Sequence, residues 1–168
     1  ELGGVNGHLI GVHWNDNGYD AAKAVTIVKK LMDEGCLLFS TCSSKMMETS
    51  MAIANRAEFP GITVFVSTKC IHPPEHIYGL MPGYDDDWTA FATYFMENVW
   101  KEDRKPRMAL HLLNNPTGYG AQMAAWAGAE DLGIDIIAEE EHTTTTTSEI
   151  ESLTRIKALN PDVLFISS

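Results

Sequence analysis

Apolar positions return along this chain in two rhythms. Ala21, Ala24, Val25, Val28, Leu31 and Met32 recur at helical spacing, with Asp20 placed as an N-cap and Gly35 as a stop. Met47, Met51 and Ala54 mark one face of a second helix over 44–58, which Pro60-Gly61 ends. Trp88, Phe91, Ala92, Phe95 and Val99 form the stripe of a third, whose start carries Asp85-Asp86-Asp87, where the helix dipole favours negative charge. A fourth follows a loop over 114–120 and runs to about Leu132, with Gly133 as its stop. A fifth opens on a capping box, Ser148 with Glu151, and ends near Leu159 before Asn160-Pro161.

Short strand-like runs lie between these helices. They cover 8–14, with Ile10, Val12 and Trp14 on one face, then 36–39, 62–66, 78–81, 107–113, 134–138 and 163–166. Pro73-Pro74 is predicted to keep the stretch 67–72 from becoming helical. Strands alternating with helices predict an α/β protein of parallel sheets with helices on both faces. In such sheets a ligand binds beyond the carboxyl ends of the strands. Three loops leave those ends with informative chemistry, at 41–44, 67–72 and 114–120.

The first of these loops organises the rest. Phe39-Ser40-Thr41-Cys42-Ser43-Ser44-Lys45-Met46 reads as a strand, a turn of small hydroxyl residues and a helix N-terminus. Free backbone N–H groups and the positive end of the dipole sit there, so a carboxylate can dock without a charged side chain. Gly3-Gly4-Val5-Asn6-Gly7 is different, because it precedes a strand and opens no helix, which disqualifies it as a phosphate cradle.

Composition narrows the function classes. Of 168 residues, 23 are acidic and 12 basic, a formal charge of −11 that argues against nucleic acid or an anionic membrane as partner. No apolar run approaches the ~20 residues of a membrane span. Cys36, Cys42 and Cys70 have no zinc-site spacing and allow one disulfide plus a thiol, or three thiols. The length favours one domain while leaving room for two small lobes.

Each candidate side chain has a plain alternative. Ser43 and Ser44 can hold a ligand carboxylate or simply cap a helix. Lys69 can anchor a carboxylate or stand in solvent. Tyr119 can stack on a ligand or pack with its hydroxyl satisfied. Trp14 and Tyr19 read as core and surface packing. The prolines between His72 and His76 work against aiming both, with Glu75, at one ion. Cys42 or Cys70 as a nucleophile needs a positioned base, and no such arrangement is visible. Asn115-Pro116-Thr117 fails as a glycosylation acceptor because of its proline.

Gly3-Gly4-Val5-Asn6-Gly7 before a strand, followed by Asp16-Asn17-Gly18-Tyr19-Asp20-Ala21-Ala22-Lys23-Ala24 opening a helix, resembles the periplasmic substrate-binding proteins of branched-chain amino-acid type ABC transporters, a type I periplasmic binding protein family. Thr117-Gly118-Tyr119-Gly120 and Ile156-Lys157-Ala158-Leu159-Asn160-Pro161-Asp162-Val163 fit the same family. The resemblance runs through essentially the whole chain and rests on the order of many weak motifs. It implies two α/β lobes joined by a hinge, with residues 1–81 in the first, 82–168 in the second and a crossing near 80–83. It also implies that the fold is incomplete at both ends, with a first strand expected before Glu1 and the rest of the second lobe after Ser168.

By the same resemblance, ligand contacts fall on Thr41, Cys42, Ser43 and Ser44, on Lys69, Cys70 and Ile71 in the second loop, and on Tyr119 across the cleft. Amino-acid binders of the family carry small residues and a threonine in the second loop, whereas Lys69, Cys70, Ile71 and His72 stand here. The implied ligand is a small polar organic molecule: an amino acid, an aromatic or other carboxylate, or an amide. The implied partner is the membrane permease of an ABC transporter. The protein is expected to be a monomer, periplasmic or extracellular and associated with the cell surface, with no nucleic acid, cofactor, metal or catalytic residue. Two alternatives are a sensory or regulatory ligand-binding domain of the same fold, and an α/β enzyme using Cys42 or His72.

Overall fold

A computed structural model describes residues 3–167. Helix α1 is Ala21–Asp33, and it begins where Asp20 accepts a hydrogen bond from the Lys23 N–H at 2.8 Å. Strand β1 is Phe39–Thr41, helix α2 Ser44–Arg56, strand β2 Gly61–Thr63, the single turn α3 Thr68–Ile71 and strand β3 Ile77–Gly79. Helix α4, Tyr84–Tyr94, continues into a π-helical turn over Phe95–Val99. Strand β4 is Arg107–Leu113, helix α5 Pro116–Gly128, strand β5 Asp135–His142, helix α6 Ile150–Ala158 and strand β6 Val163–Ile166.

The strands form two all-parallel sheets, ordered β1-β2-β3 and β5-β4-β6. Each sheet has its own core. Val28, Leu31, Phe39, Met47, Ala54, Phe59, Val66, Cys70 and Ile77 pack together around the first. Trp88, Ala92, Met108, Leu110, Leu112, Ala121 and Ala125 pack around the second. Alternation along β4 sends Met108, Leu110 and Leu112 toward α4 and α5, and Ala109 and His111 toward α6.

Several expectations change. Residues 8–14 form no strand, because no neighbouring strand among the described residues pairs with them; Leu9, Ile10, Val12 and Trp14 are exposed instead. Trp14 is therefore not a core residue. The run at 36–39 pairs only from Phe39 and extends to Thr41, and the one at 62–66 pairs over Gly61–Thr63. The run at 78–81 pairs one residue earlier, over Ile77–Gly79. The prolines do not prevent a turn of helix at Thr68–Ile71, since they restrict only His72, which is extended at φ −130° and ψ 119°.

The loop expected over 114–120 is helical from Pro116, because proline suits the first helical position and Asn115 caps it. Strand β5 runs to His142, longer than 134–138. The Ser148 capping box does not form: the N-cap is Glu149, whose side chain makes no capping bond, and Ser148 only accepts from the Ile150 N–H at 3.4 Å. Val99 is exposed rather than part of the α4 stripe. Arg107–Leu113 and Val163–Ile166 fall where the sequence places them. Gly35 and Gly133 take φ of 75° and 72°, the left-handed conformation that ends a helix at low steric cost.

Candidate functional site

The turn after β1 is built by its own side chains. The Ser43 N–H donates to Thr41 Oγ1 at 3.3 Å, and Ser43 Oγ accepts from the Met46 N–H at 3.4 Å. Ser43 is thus the N-cap of α2. The cap serves one of the four N–H groups of the first turn that have no helical acceptor and leaves those of Ser44 and Lys45. The bare helix end favours a carboxylate. Thr41 and Cys42, with Met46 and Ser50 on α2, line a cavity of about 320 Å³ bounded on its far side by residues 13–17. Ser50 Oγ is buried against that cavity without a hydrogen-bond partner among the described residues.

The second predicted loop lies against α2. Ser67 Oγ donates to Glu48 on that helix. Within α3, Cys70 is buried in the first core and Ile71 packs against it. Burial pushes the Cys70 thiol up to about 11, so it stays protonated and unreactive. The side chains of Cys70 and Ile71 thus belong to the core, and Lys69, exposed, is the polar group that this loop presents.

Tyr119 lies in the first turns of α5, partly exposed, and its hydroxyl donates to Asn114 Oδ1 at 2.6 Å. Asn115 Oδ1 caps the helix, accepting from the Thr117 and Gly118 N–H groups at 2.8 and 3.4 Å. Gly118 is required there, because a Cβ would sit 2.0 Å from the Leu113 carbonyl oxygen. No hydrogen bond among the described residues joins Tyr119 to the Thr41–Ser44 turn.

What links the two halves is Tyr84, which the sequence reading passed over. Its hydroxyl donates to Ser44 Oγ at 3.2 Å, and a Cβ on Gly120 would come within 2.5 Å of its own Cβ. The N-termini of α2 and α5 thus flank one tyrosine. Thr68 Oγ1 donates to Asp85 beside it, and Val66 bridges Gly83. The signal available for Tyr84 in the sequence was its place directly after Pro82-Gly83, at the start of α4. His72, Glu75 and His76 form no cluster of ligand atoms among the described residues.

The family described as "Periplasmic binding protein" matches residues 1–168. A fatty acid ABC transporter substrate-binding protein from Thermomonospora curvata is similar in structure, with a TM-score of 0.85 and 20% identity over 98% of this chain and 41% of that one. A branched-chain amino acid ABC transporter protein from Thermus thermophilus with bound valine has a TM-score of 0.81 and 17% identity, over 92% and 40%. A solute-binding protein of an ABC transporter from Rhodopseudomonas palustris BisB5, in complex with 3,4-dihydroxybenzoic acid, has a TM-score of 0.81 and 14% identity, over 95% and 44%. This chain therefore spans less than half the length of these structures. No curated protein matches it.

Proposed function

This chain belongs to the periplasmic binding protein family, and on that premise we propose that it is part of an extracytoplasmic solute-binding protein that delivers a small polar organic ligand to an ABC-transporter permease. The two sheets are read as parts of two lobes, residues 1–81 and 82–168, with a crossing at 80–83. The observation that carries the reading is the α2 N-terminus, with N–H groups of Ser44 and Lys45 unserved by the helix, set beside Tyr84 from the second half. Such an end takes a carboxylate or an amide oxygen. Thr41, Cys42, Ser43 and Ser44 form one jaw, Lys69 adds a cation to it, and Tyr119 covers the ligand from the other side.

Structures of the same fold carry valine and 3,4-dihydroxybenzoic acid, two compounds with a carboxylate and little else in common. That supports an oxygen-recognising first jaw and leaves the other groups to set the rest of the ligand. Closure of the lobes is driven by contacts made only in the closed state. Calorimetry on the full-length protein against amino acids, aromatic acids and small amides tests this reading. A ligand found in that screen should bind more weakly to Ser43→Leu, which fills the turn, and to Tyr119→Ala, which removes the cover. Unchanged affinity in both variants would remove this site from consideration.

A further inference from the structure

His111, His142 and Glu149 converge on the α6 face of the second sheet, away from the residues assigned to the ligand. We propose that they form a binding site for a borderline divalent transition ion of the Zn²⁺ class. The convergence follows from the register. β4 pairs with β5 so that His111 lies opposite Glu140 and Leu113 opposite His142, which places both imidazoles on the same face, two positions apart. The rings stack with centroids 4.6 Å apart and 19° between their planes.

Glu149, just before α6, brings Oε2 to 3.2 Å from His111 Nε2. Ser152 Oγ lies 3.0 Å from the same nitrogen. One donor atom from each of His111, His142 and Glu149 lies within 4.8 Å of the others. Tetrahedral bonds of about 2.0–2.1 Å bring such atoms to roughly 3.4 Å from one another, so closing on an ion needs side-chain rotations that move the ligand atoms by on the order of an ångström.

Two observations distinguish this cluster from ordinary packing. His142 Nδ1 is buried with no hydrogen-bond partner among the described residues, which is costly for a ring nitrogen unless something satisfies it. His111 is 3% exposed, so its imidazole is shielded from bulk water. The neutral ring is the form that binds a metal. Its Nε2 becomes a donor once the ring proton sits on Nδ1.

The surroundings are consistent with that role. Glu140, on the same face, is occupied by Arg155, which donates to its two oxygens at 2.7 Å each, so it does not compete for the ion. Two imidazoles and one carboxylate suit Zn²⁺ and its neighbours better than Mg²⁺ or Ca²⁺, which prefer oxygen. The fourth position is left to water or to Ser152. An ion there would tie the threonine run 143–147, and α6 behind it, to the ends of β4 and β5.

The test is calorimetric titration of ZnCl₂ into the EDTA-treated full-length protein. One Zn²⁺ per chain is expected, with a rise in melting temperature. His142→Ala and Glu149→Gln lie at a strand end and before a helix, and circular dichroism checks their fold. Each should weaken Zn²⁺ binding by more than the ~10-fold typical of losing a supporting contact. The exposed group His13, Glu34 and Cys36 is the competing cluster, so Cys36→Ser should leave binding unchanged. Absence of Zn²⁺ binding by the wild-type protein, binding insensitive to His142→Ala and Glu149→Gln, or loss of binding in Cys36→Ser would each overturn the proposal. None of these outcomes depends on the organic ligand, so they are separable from the transport reading.

Discussion

The two sheets contain the same number of strands and are finished very differently. Each strand of the first sheet is three residues long, whereas those of the second are seven, eight and four. In the second, β4 lies between β5 and β6, and its middle five residues are buried. In the first, β1 is an edge, and its outer side meets the cavity that residues 13–17 bound on the far side. Ile10, Val12 and Trp14, in the run 8–14, are 73%, 82% and 81% exposed, although their alternation is as regular as in any strand of the chain. The lesson is that apolar alternation prepares a strand, but a paired edge makes one.

The largest expected effect tests whether the second sheet is the more completely packed. Trp88 is fully buried between α4, α5 and β4. Trp88→Ala should cost about 3–5 kcal/mol, the range for removing a large aromatic from a core. Met47→Ala, equally buried in the first sheet, should cost about 2–5 kcal/mol and fall below the tryptophan variant, since less volume is removed. Denaturant unfolding measures both. A methionine variant that loses more than the tryptophan variant would reverse the comparison. Trp88→Phe should lose less than Trp88→Ala, partly because the buried indole N–H has no partner to forfeit among the described residues.

Helix caps come next in size and separate the two halves in another way. Asn115→Ala removes an acceptor of two N–H bonds and should destabilise by about 1 kcal/mol. Ser43→Ala, losing one 3.4 Å bond, should cost less than that. Ser148→Ala should fall within about 0.5 kcal/mol of zero, because Ser148 is not the cap of α6. A Ser148 loss equal to that of Asn115 would restore the capping box that the sequence suggests.

The second half was also the more legible in sequence. Arg107–Leu113 and Val163–Ile166 could be read residue by residue, because both are runs bounded by charge and proline and both find partners. The first half was read less well for a physical reason: its strands are too short to show a period, and one predicted strand has no partner. The α2 N-terminus was legible because the serines and the following apolar spacing are local. Tyr84 was not, since its role depends on Ser44 forty positions earlier. The histidine pair was invisible for the same reason. His111 and His142 are brought together only by strand register, and the shift between Met108 and Ala109 that sets it leaves no sequence mark.

The smallest expected effect concerns the base of the second sheet. Asp162, just before β6, accepts two bonds from the Arg104 guanidinium, at 2.6 and 2.7 Å, and one from the Arg107 N–H at 2.8 Å. These hold its carboxyl at about 2, below the ordinary 3.8. A depressed folded-state value means that the unfolded chain takes up the proton first. The stability from this contact is therefore present above about pH 4, and it is lost as the pH falls from there through about 2. Solvent screening keeps the effect modest. Asp162→Asn should flatten the acid limb of a stability-against-pH curve between those values and leave the neutral limb parallel. Because Asp162 joins the start of β4 to the approach to β6, hydrogen exchange in acid should then rise in these two strands before it rises in β1. Equal rises in both sheets would show that the second sheet draws no particular advantage from its longer, better-anchored strands.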